Sequence, residues 1–341
     1  MTQIAAKTRV IKGISPDSVP YDELMAAEQP VILKGLVRDW PLVNKGSPID
    51  AAAYLKSFYQ GRPVTAFIAQ PEHKGRFSYT ADSTQLDFES DKGLLNEYLE
   101  INIGLIEESE SPTFSIGSTD VDTFLPGFRD ENDLVLSHAM FENNPPLVGA
   151  WIGNRSTALA HYDMSNNIAC CLVGNRRFSL FPPEQIHNLY PGPLEPTPGG
   201  QVLTMTDINT PDFERFPRLR EALAAGEVAD LEPGDALFYP TMWWHEVEAL
   251  DGFNVMVNYW WNTTPQFMDT PQNTLHHALL SLRDRPEQEK RAWRAVFDYY
   301  VFGDAGRAAA HLPEAAQGNL APMDELKARR LRALLLRRLN R

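Results

Sequence analysis

The segment His161-Tyr162-Asp163 carries the residue types and the spacing that a metal site requires. Side chains alternate between the two faces of an extended strand, so His161 and Asp163 project from the same face. One imidazole nitrogen and one carboxylate oxygen can therefore reach a single ion. The third ligand must come from another segment, and His245, which follows Trp243-Trp244, is the candidate. Two histidines and one carboxylate with open coordination positions are typical of non-haem Fe(II) oxygenases.

A series of short strands surrounds these candidate ligands and predicts a β-sandwich or barrel. Between about residue 147 and residue 262, apolar β-branched and aromatic runs alternate with turn formers at even spacing. The predicted strands are Val148–Ile152, Asn167–Val173, Arg177–Phe181, Asp235–Tyr239 and Phe253–Trp261. The stretch from Tyr190 to Glu221 is rich in Pro and Gly and is expected to form a long ordered loop, which in a compact domain is usually functional.

Mixed segments precede the barrel, and helices follow it. The first part predicts helices at Tyr21–Glu28, Ala51–Tyr59, Leu94–Leu99 and Asp120–Phe128, and strands at Pro30–Leu36 and Pro63–Ala69. The last part predicts helices at Pro271–Arg283, Pro286–Phe302 and Met323–Arg341. The sequence therefore predicts a mainly β fold with flanking helices. We divide it into a domain at residues 1–262, with the barrel core at about 147–262, and a C-terminal helical segment at residues 263–341.

Composition narrows the classes of partner and the compartment. The 341 residues carry a formal net charge of −14, which disfavours general binding to phosphate backbones, so no nucleic-acid partner is expected. The two cysteines, Cys170 and Cys171, are adjacent and would point to opposite faces of a strand, which indicates a reducing compartment. Neither a signal peptide nor an apolar run long enough to span a bilayer is evident. The expectation is a cytoplasmic protein without a membrane partner.

Four runs of sequence resemble one known family. They are AHYDMSNNIACCLVGNRRFSLFPPEQIHNLYPGP, NTPDFERFP, LEPGDALFYPTMWWHEVEAL and NVMVNYWWN. Together they are similar to the JmjC-type, cupin-like oxygenases, and among these to the asparaginyl hydroxylase that inhibits hypoxia-inducible factor. The resemblance implies a double-stranded β-helix (jelly-roll, cupin-like JmjC) barrel. It also implies Fe(II), the co-substrate 2-oxoglutarate and O2, with His161, Asp163 and His245 as the metal ligands and catalytic residues.

The resemblance assigns three further residues to 2-oxoglutarate. Asn167 and Asn258 match positions that contact the co-substrate, and the alternative for a buried amide such as that of Asn258 is a bond to a neighbouring strand or to a water. Arg176 stands where the family usually carries a lysine for the distal carboxylate. A guanidinium can clasp a carboxylate through two parallel hydrogen bonds, whereas an ammonium acts as a point charge, so the exchange keeps the charge and changes the geometry. Ala158 replaces a hydroxyl of the family, which removes one polar contact from the pocket.

The leading prediction is an Fe(II)- and 2-oxoglutarate-dependent dioxygenase that hydroxylates a protein side chain or a small metabolite. Two alternatives stay open: a cupin-type metalloenzyme that does not use 2-oxoglutarate, and a non-catalytic regulatory barrel that binds metal. A histone demethylase is less attractive, because no reader domain, zinc cluster or basic linker accompanies the barrel. The C-terminal helices resemble the dimerisation segment of the family in type and place, which implies a homodimer. The substrate itself is not predicted.

Overall fold

The structure, a computed structural model, describes residues 4–108 and 110–340. The strands are β1 Ala6–Lys7, β2 Arg9–Lys12, β3 Val31–Lys34, β4 Val64–Ala69, β5 Arg76–Phe77, β6 Glu89–Gly93, β7 Thr113–Asp120, β8 Leu147–Gly153, β9 Ser156–Tyr162, β10 Asn166–Val173, β11 Arg176–Phe181, β12 Glu227–Leu231, β13 Ala236–Tyr239, β14 Trp244–Ala249 and β15 Asn254–Trp261. The helices are α1 Tyr21–Ala27, α2 Pro48–Phe58, α3 Leu95–Gly104, α4 Val121–Phe124, α5 Leu219–Ala225, α6 Pro271–Ser281, α7 Glu287–Phe297, α8 Ala305–Ala309 and α9 Glu325–Leu339. Short 3-10 turns lie at Pro71–His73, Phe128–Asp130, Ala139–Phe141, Pro183–His187, Glu314–Ala316 and Gly318–Leu320, and a π-helical turn at Asp298–Phe302.

The chain divides into two compact units, Met1–Asn262 and Thr263–Arg341. The strands named above all belong to the first unit, and the second unit contains helices α6 to α9. The functional assignment of the two parts, including a role of the second in dimerisation, stays a prediction. No helix in the described part of the chain is both long enough and apolar enough to cross a lipid bilayer.

Two sheets build the barrel of the first unit. The larger sheet has the strand order β2-β3-β13-β10-β15-β8-β7-β4-β6, and the smaller has the order β1-β12-β11-β14-β9-β5. Strand β9 belongs to the smaller sheet, β10 to the larger and β11 again to the smaller. In the same way, β14 belongs to the smaller sheet and the next strand, β15, to the larger. The chain therefore winds between the two sheets, which confirms the mainly β, jelly-roll fold expected from the sequence.

The space between the two sheets, which we call the barrel interior, is lined by side chains of both. Phe178 and Leu180 of β11 pack there in one cluster with Leu237 of β13 and Met256 of β15. Residues of β15 with the opposite parity, such as Val257, belong instead to the core on the outer side of the larger sheet. Both faces of β15 are thus buried, which explains why Asn254–Trp261 reads as a nearly continuous apolar run.

One helix predicted in the region before the barrel is wrong in extent, and one strand of this region was not predicted. The helix predicted at Asp120–Phe128 is confined to Val121–Phe124, and the preceding residues form the eight-residue strand β7, which was not foreseen. Pro126 lacks a backbone N–H, and Gly127 takes a φ of 88°, so the chain cannot continue as a helix there. Strand β7 pairs with β8 and extends the larger sheet beyond the predicted barrel strands.

Candidate metal centre

Strands β9 and β14 bring the two candidate histidines together. They pair antiparallel, with His161 directly opposite His245, so both side chains leave the same face of the smaller sheet. Their ring centroids are 4.3 Å apart. The ring of Tyr239, from the larger sheet, lies 4.6 Å from the ring of His245, so this face is the barrel interior. Asp163 follows the end of β9 by one residue.

A bulge in β9 sets the direction of His161. The register between β9 and β14 shifts between His245 and Val247, where Leu159 and Ala160 together oppose the single residue Glu246. An extra residue in one strand bends that strand and re-aims the adjacent side chains. The carbonyl of Leu159, within the bulge, accepts a hydrogen bond from His161 Nδ1 at 2.8 Å.

The three candidate ligands form a compact donor set. One ligand atom each from His161, Asp163 and His245 lies within 4.8 Å of the others, and His245 Nε2 is 3.8 Å from Asp163 Oδ2. No other group of three such residues in the described chain is equally close. Two imidazoles and one carboxylate on one side of an ion suit Fe(II) and leave positions open for other ligands.

Backbone carbonyls fix the imidazoles in the form that binds a metal. His245 Nδ1 lies 3.0 Å from the carbonyl of Trp243, as His161 Nδ1 does from Leu159. A carbonyl only accepts hydrogen bonds, so each Nδ1 carries the proton and each Nε2 keeps its lone pair. Burial, followed by the nearby His161, lowers the pKa of His245 to about 4, so this ring is neutral at physiological pH, as metal binding requires.

The predicted asparagines lie across the barrel interior on the larger sheet, within a hydrogen-bonded network. Asn167 Nδ2 donates to the hydroxyl of Tyr239 at 2.5 Å, and Asn258 Nδ2 donates to Asn167 Oδ1 at 2.7 Å. All three residues are buried. Asn258 Oδ1 has no hydrogen-bond partner within the described residues. Burial, reinforced by the charge of Asp163, raises the pKa of Tyr239 well above its usual value, so its hydroxyl keeps its proton as a donor.

Arg176 begins β11 and is buried, with only 6% of its surface exposed. Arg176, Phe178 and Leu180 are alternate residues of β11, so the side chain of Arg176 also points toward the barrel interior. Burial lowers its pKa to about 10, which still leaves the guanidinium charged at neutral pH. Its Nε is buried without a hydrogen-bond partner, and no carboxylate of the described residues pairs with it. The next residue, Arg177, points the other way and donates to Asp230 at 2.7 Å.

Between Arg176 and the histidines the lining of the smaller sheet is apolar. Val247 lies opposite both Phe178 of β11 and Ala158 of β9. Phe178 is fully buried, and Val247 is 9% exposed. Ala158 packs against the same cluster.

Tyr239 lies near the candidate ligands and was not assigned a role from the sequence, and for Trp260 the sequence left open whether it lines the site or packs in the core. Trp260 Nε1 donates a hydrogen bond to Asp163 Oδ2 at 3.1 Å. Both residues pair directly with Asn167, Tyr239 from β13 and Trp260 from β15. Opposed residues of an antiparallel pair share a face, so strand parity relative to Asn167 is the signal that could have found them.

The long loop predicted at Tyr190–Glu221 is anchored on the other face of β14. Asn209 Nδ2 donates to Glu246 at 3.4 Å and to Glu248 at 3.2 Å, and Asp207 pairs with Arg76 of β5 at 2.6 Å. Glu246 is fully buried, and this burial raises the pKa of its carboxyl to about 8. The loop is therefore fixed to the strand that carries His245, and its final residues form α5.

Comparisons with known proteins find relatives that match most of this chain. Human HSPB1-associated protein 1 is 26% identical over 302 residues, which are 83% of this chain and 58% of that protein. Lysine-specific demethylase 8 of Xenopus tropicalis is 24% identical over 246 residues, 71% of this chain and 50% of that protein. The chain thus spans little more than half the length of these relatives. The X-ray structure of E. coli ycfD is 14% identical and covers 95% of this chain and 68% of its own, with a TM-score of 0.41, too low to argue from.

The match to a family model is the more decisive finding. The model described as "Cupin-like domain" matches residues 16–267, which is most of the chain and includes all three candidate ligands. One further relative, the JmjC domain-containing protein D of Dictyostelium discoideum, is 26% identical over 267 residues, whereas membership of the JmjC-type proteins and the special likeness to the asparaginyl hydroxylase stay predictions. The chain belongs to the family of proteins with a cupin-like domain.

Proposed function

We propose that this protein is an Fe(II)- and 2-oxoglutarate-dependent dioxygenase that hydroxylates its substrate. The reaction converts a substrate C–H bond, 2-oxoglutarate and O2 into a hydroxylated substrate, succinate and CO2. Fe(II) bound at His161, Asp163 and His245 would supply the oxygen chemistry, since this donor set leaves coordination positions open for other ligands. A purely structural metal site would have no need of open positions.

The observation that carries the proposal is the buried guanidinium of Arg176. A charged group without an opposite charge is costly to bury, and the Nε of Arg176 lacks even a hydrogen-bond acceptor within the part of the chain that the structure describes. Such a group is expected to receive an anion from outside the chain. A guanidinium binds a carboxylate through two parallel hydrogen bonds, so a dicarboxylate with one end at Arg176 fits the charge of the site.

The separation along the strands suits a short dicarboxylate. Arg176 lies opposite Ala249 and Leu180 lies opposite His245, so four residues, about 14 Å of strand, separate the two levels. The long arginine side chain covers part of this distance, and the five-carbon chain of 2-oxoglutarate can cover the rest. The apolar side chains of Phe178 and Val247, which lie between, suit its methylene groups.

The residues around the ligands have distinct roles in this proposal. Arg176 binds the distal carboxylate and so sets the position of the co-substrate along the barrel. On the opposite wall of the barrel interior, Asn258 Oδ1 accepts a hydrogen bond and the hydroxyl of Tyr239 donates one. These two groups orient the keto-acid end of the co-substrate. The carbonyls of Leu159 and Trp243 hold the protons of His161 and His245 at Nδ1. The apolar lining limits the entry of water, which favours coupled oxidation of substrate.

An anaerobic titration of the Fe(II)-loaded protein with 2-oxoglutarate tests the proposal. We expect a saturable visible charge-transfer band, because the keto acid would chelate the iron, and succinate production once O2 and a substrate are added. The band should be absent in His161→Ala. A protein that binds iron and never develops the band would contradict the proposal. The cupin-type metalloenzyme without 2-oxoglutarate, which the lack of a hydroxyl at Ala158 favours, would then take its place.

For the substrate, we favour a side chain of another protein. The names of the relatives support this class, since one is called associated with HSPB1 and another a lysine-specific demethylase. A hydroxylase of asparagine or another residue and a demethylase of lysine would share the same oxidation of a C–H bond. Mass spectrometry of a peptide library after reaction distinguishes them, because hydroxylation adds one oxygen atom and demethylation removes a CH2 group.

We also propose that the helical unit 263–341 forms a homodimer. Several large apolar side chains of this unit are exposed in the single chain, including Leu280 at 79%, Val301 at 59% and Phe302 at 75%. Contiguous exposed apolar surface is a mark of an interaction site. We expect the protein to have the mass of a dimer in light scattering and Phe302→Glu to shift it to a monomer. Leu147→Glu, at an apolar side chain that is exposed in the first unit, is the control. A monomeric unaltered protein would contradict this proposal.

A further inference from the structure

We infer that the outer face of the smaller sheet, the face opposite the barrel interior, holds a Ca²⁺ site that is separate from the candidate metal centre. Ser179 of β11 and Glu246 and Glu248 of β14 supply its oxygens. Side chains alternate along β14, so Glu246 leaves the strand on the side opposite His245. The inference goes beyond the proposed function, because this site needs neither Fe(II) nor 2-oxoglutarate.

Three oxygens of this face are buried without hydrogen-bond partners. Ser179 is 1% exposed, and Glu246 is fully buried. Among the described residues, nothing hydrogen-bonds to Ser179 Oγ, Glu246 Oε2 or Glu248 Oε2. Ser179 lies directly opposite Glu246 where β11 pairs with β14, so the hydroxyl and the carboxylate share a face. Buried polar groups normally have partners, so an uncharged hydroxyl and two carboxylates without them point to a ligand that all three contact.

Asn209 of the long loop holds the two carboxylates next to each other. Its Nδ2 donates to Glu246 Oε1 at 3.4 Å and to Glu248 Oε1 at 3.2 Å. One amide group therefore binds one oxygen of each glutamate, and the Oε2 atoms stay free for a ligand. An amide is neutral, so it does not offset the charge of either carboxylate.

The arginines near these glutamates are already paired with other carboxylates. Arg76 and Arg177 attract the two glutamates electrostatically. Arg76, however, contacts Asp207 Oδ2 at 2.6 Å, and Arg177 donates to Asp230 at 2.7 Å. Each of these ion pairs is neutral, so the two glutamates carry the charge that a divalent cation balances.

Ca²⁺ is the divalent cation that suits this set of oxygens. It binds carboxylate and other oxygens in flexible geometry, whereas Mg²⁺ demands a regular octahedron and gives up its water reluctantly, which disfavours it at a buried position. The site offers no imidazole or thiolate, the ligands that favour zinc or copper. A Ca²⁺ ion here would join the loop that contains Asn209 to the strand that carries His245.

Calorimetric titration of the chelator-treated protein with calcium chloride tests the inference. We expect one saturable site and a higher melting temperature with Ca²⁺, because a ligand of the folded state stabilises that state. Glu248→Gln keeps the shape of the side chain and removes its charge, so the dissociation constant for Ca²⁺ should rise about 10- to 100-fold. Ser179→Ala removes a neutral oxygen and should raise it less.

Two variants are the controls, and both should bind Ca²⁺ as tightly as the unaltered protein. Glu227→Gln changes a half-buried carboxylate of the same sheet that accepts a hydrogen bond from Thr8 at 3.0 Å, and Asp163→Asn changes the carboxylate of the candidate metal centre. An unaltered protein that does not bind Ca²⁺ would overturn the inference, as would unchanged affinity in Glu248→Gln. Loss of Ca²⁺ binding in Asp163→Asn would also overturn it, because the ion would then occupy the metal centre. Ca²⁺ binding that depends on Glu248 in a protein that never binds 2-oxoglutarate would support the inference and contradict the proposed function.

Discussion

Replacement of His245 by alanine is expected to abolish Fe(II) binding at micromolar metal and, with it, all conversion of 2-oxoglutarate to succinate. A structural metal site with four ligands has an apparent binding free energy of about 10–16 kcal/mol, or roughly 2.5–4 kcal/mol per ligand. Loss of one ligand therefore weakens binding by about 100- to 1,000-fold. Anaerobic equilibrium competition with a coloured chelator measures the change directly, without reliance on activity.

Two further variants keep this prediction decisive. His245 is only 2% exposed, so alanine leaves a cavity, and His245→Gln should give the same loss of metal binding with less loss of packing. His277→Ala is the control, because this histidine is exposed on α6 and does not belong to the candidate donor set. If His245→Gln binds Fe(II) as tightly as the unaltered protein, His245 is not a metal ligand.

The three candidate ligands could be chosen from the sequence because local rules govern their positions. His161 and Asp163 share a face through the two-residue period of a strand, and His245 follows a recognisable strand and turn. The structure adds what spacing alone does not contain, namely that β9 and β14 are neighbours and that His161 lies opposite His245. Pairing between strands so distant in sequence depends on the whole topology, so a single sequence supplies it only through a family resemblance.

The less predictable parts of the fold are those in which non-local contacts override local preference. Strand β7 contains Gly117 and ends at Asp120, two residue types that are depleted in strands. It forms because it pairs with β4 on one side and with β8 on the other. The hydrogen bond from Trp260 to Asp163 was unpredictable for a related reason, since it depends on the space that Gly149 leaves in a third strand.

Replacement of Arg176 by methionine is expected to weaken binding of 2-oxoglutarate by at least about 100-fold and to leave Fe(II) binding intact. A hydrogen bond to a charged group contributes about 1.5–3 kcal/mol, and a guanidinium makes two such bonds with one carboxylate. Arg176→Lys keeps the charge and loses the paired geometry, so we expect a smaller loss of about 10-fold. The anaerobic charge-transfer titration measures each constant. The matched control is Arg177→Met, whose side chain pairs with Asp230 on the opposite face of β11.

Arg176→Met is also expected to change the stability of the protein. The change should be opposite in sign to the loss that follows when an arginine that stabilises the fold is replaced. If Arg176 held the fold together, methionine would destabilise the protein. Arg176 instead lacks a carboxylate partner among the described residues and keeps a buried, unpartnered Nε, so an apolar side chain of similar length relieves a desolvation cost. We therefore expect the melting temperature of Arg176→Met to rise in the absence of 2-oxoglutarate, and the stabilisation that 2-oxoglutarate gives the unaltered protein to disappear. If Arg176→Met has a lower melting temperature and unchanged affinity for 2-oxoglutarate, Arg176 stabilises the barrel and does not bind the co-substrate.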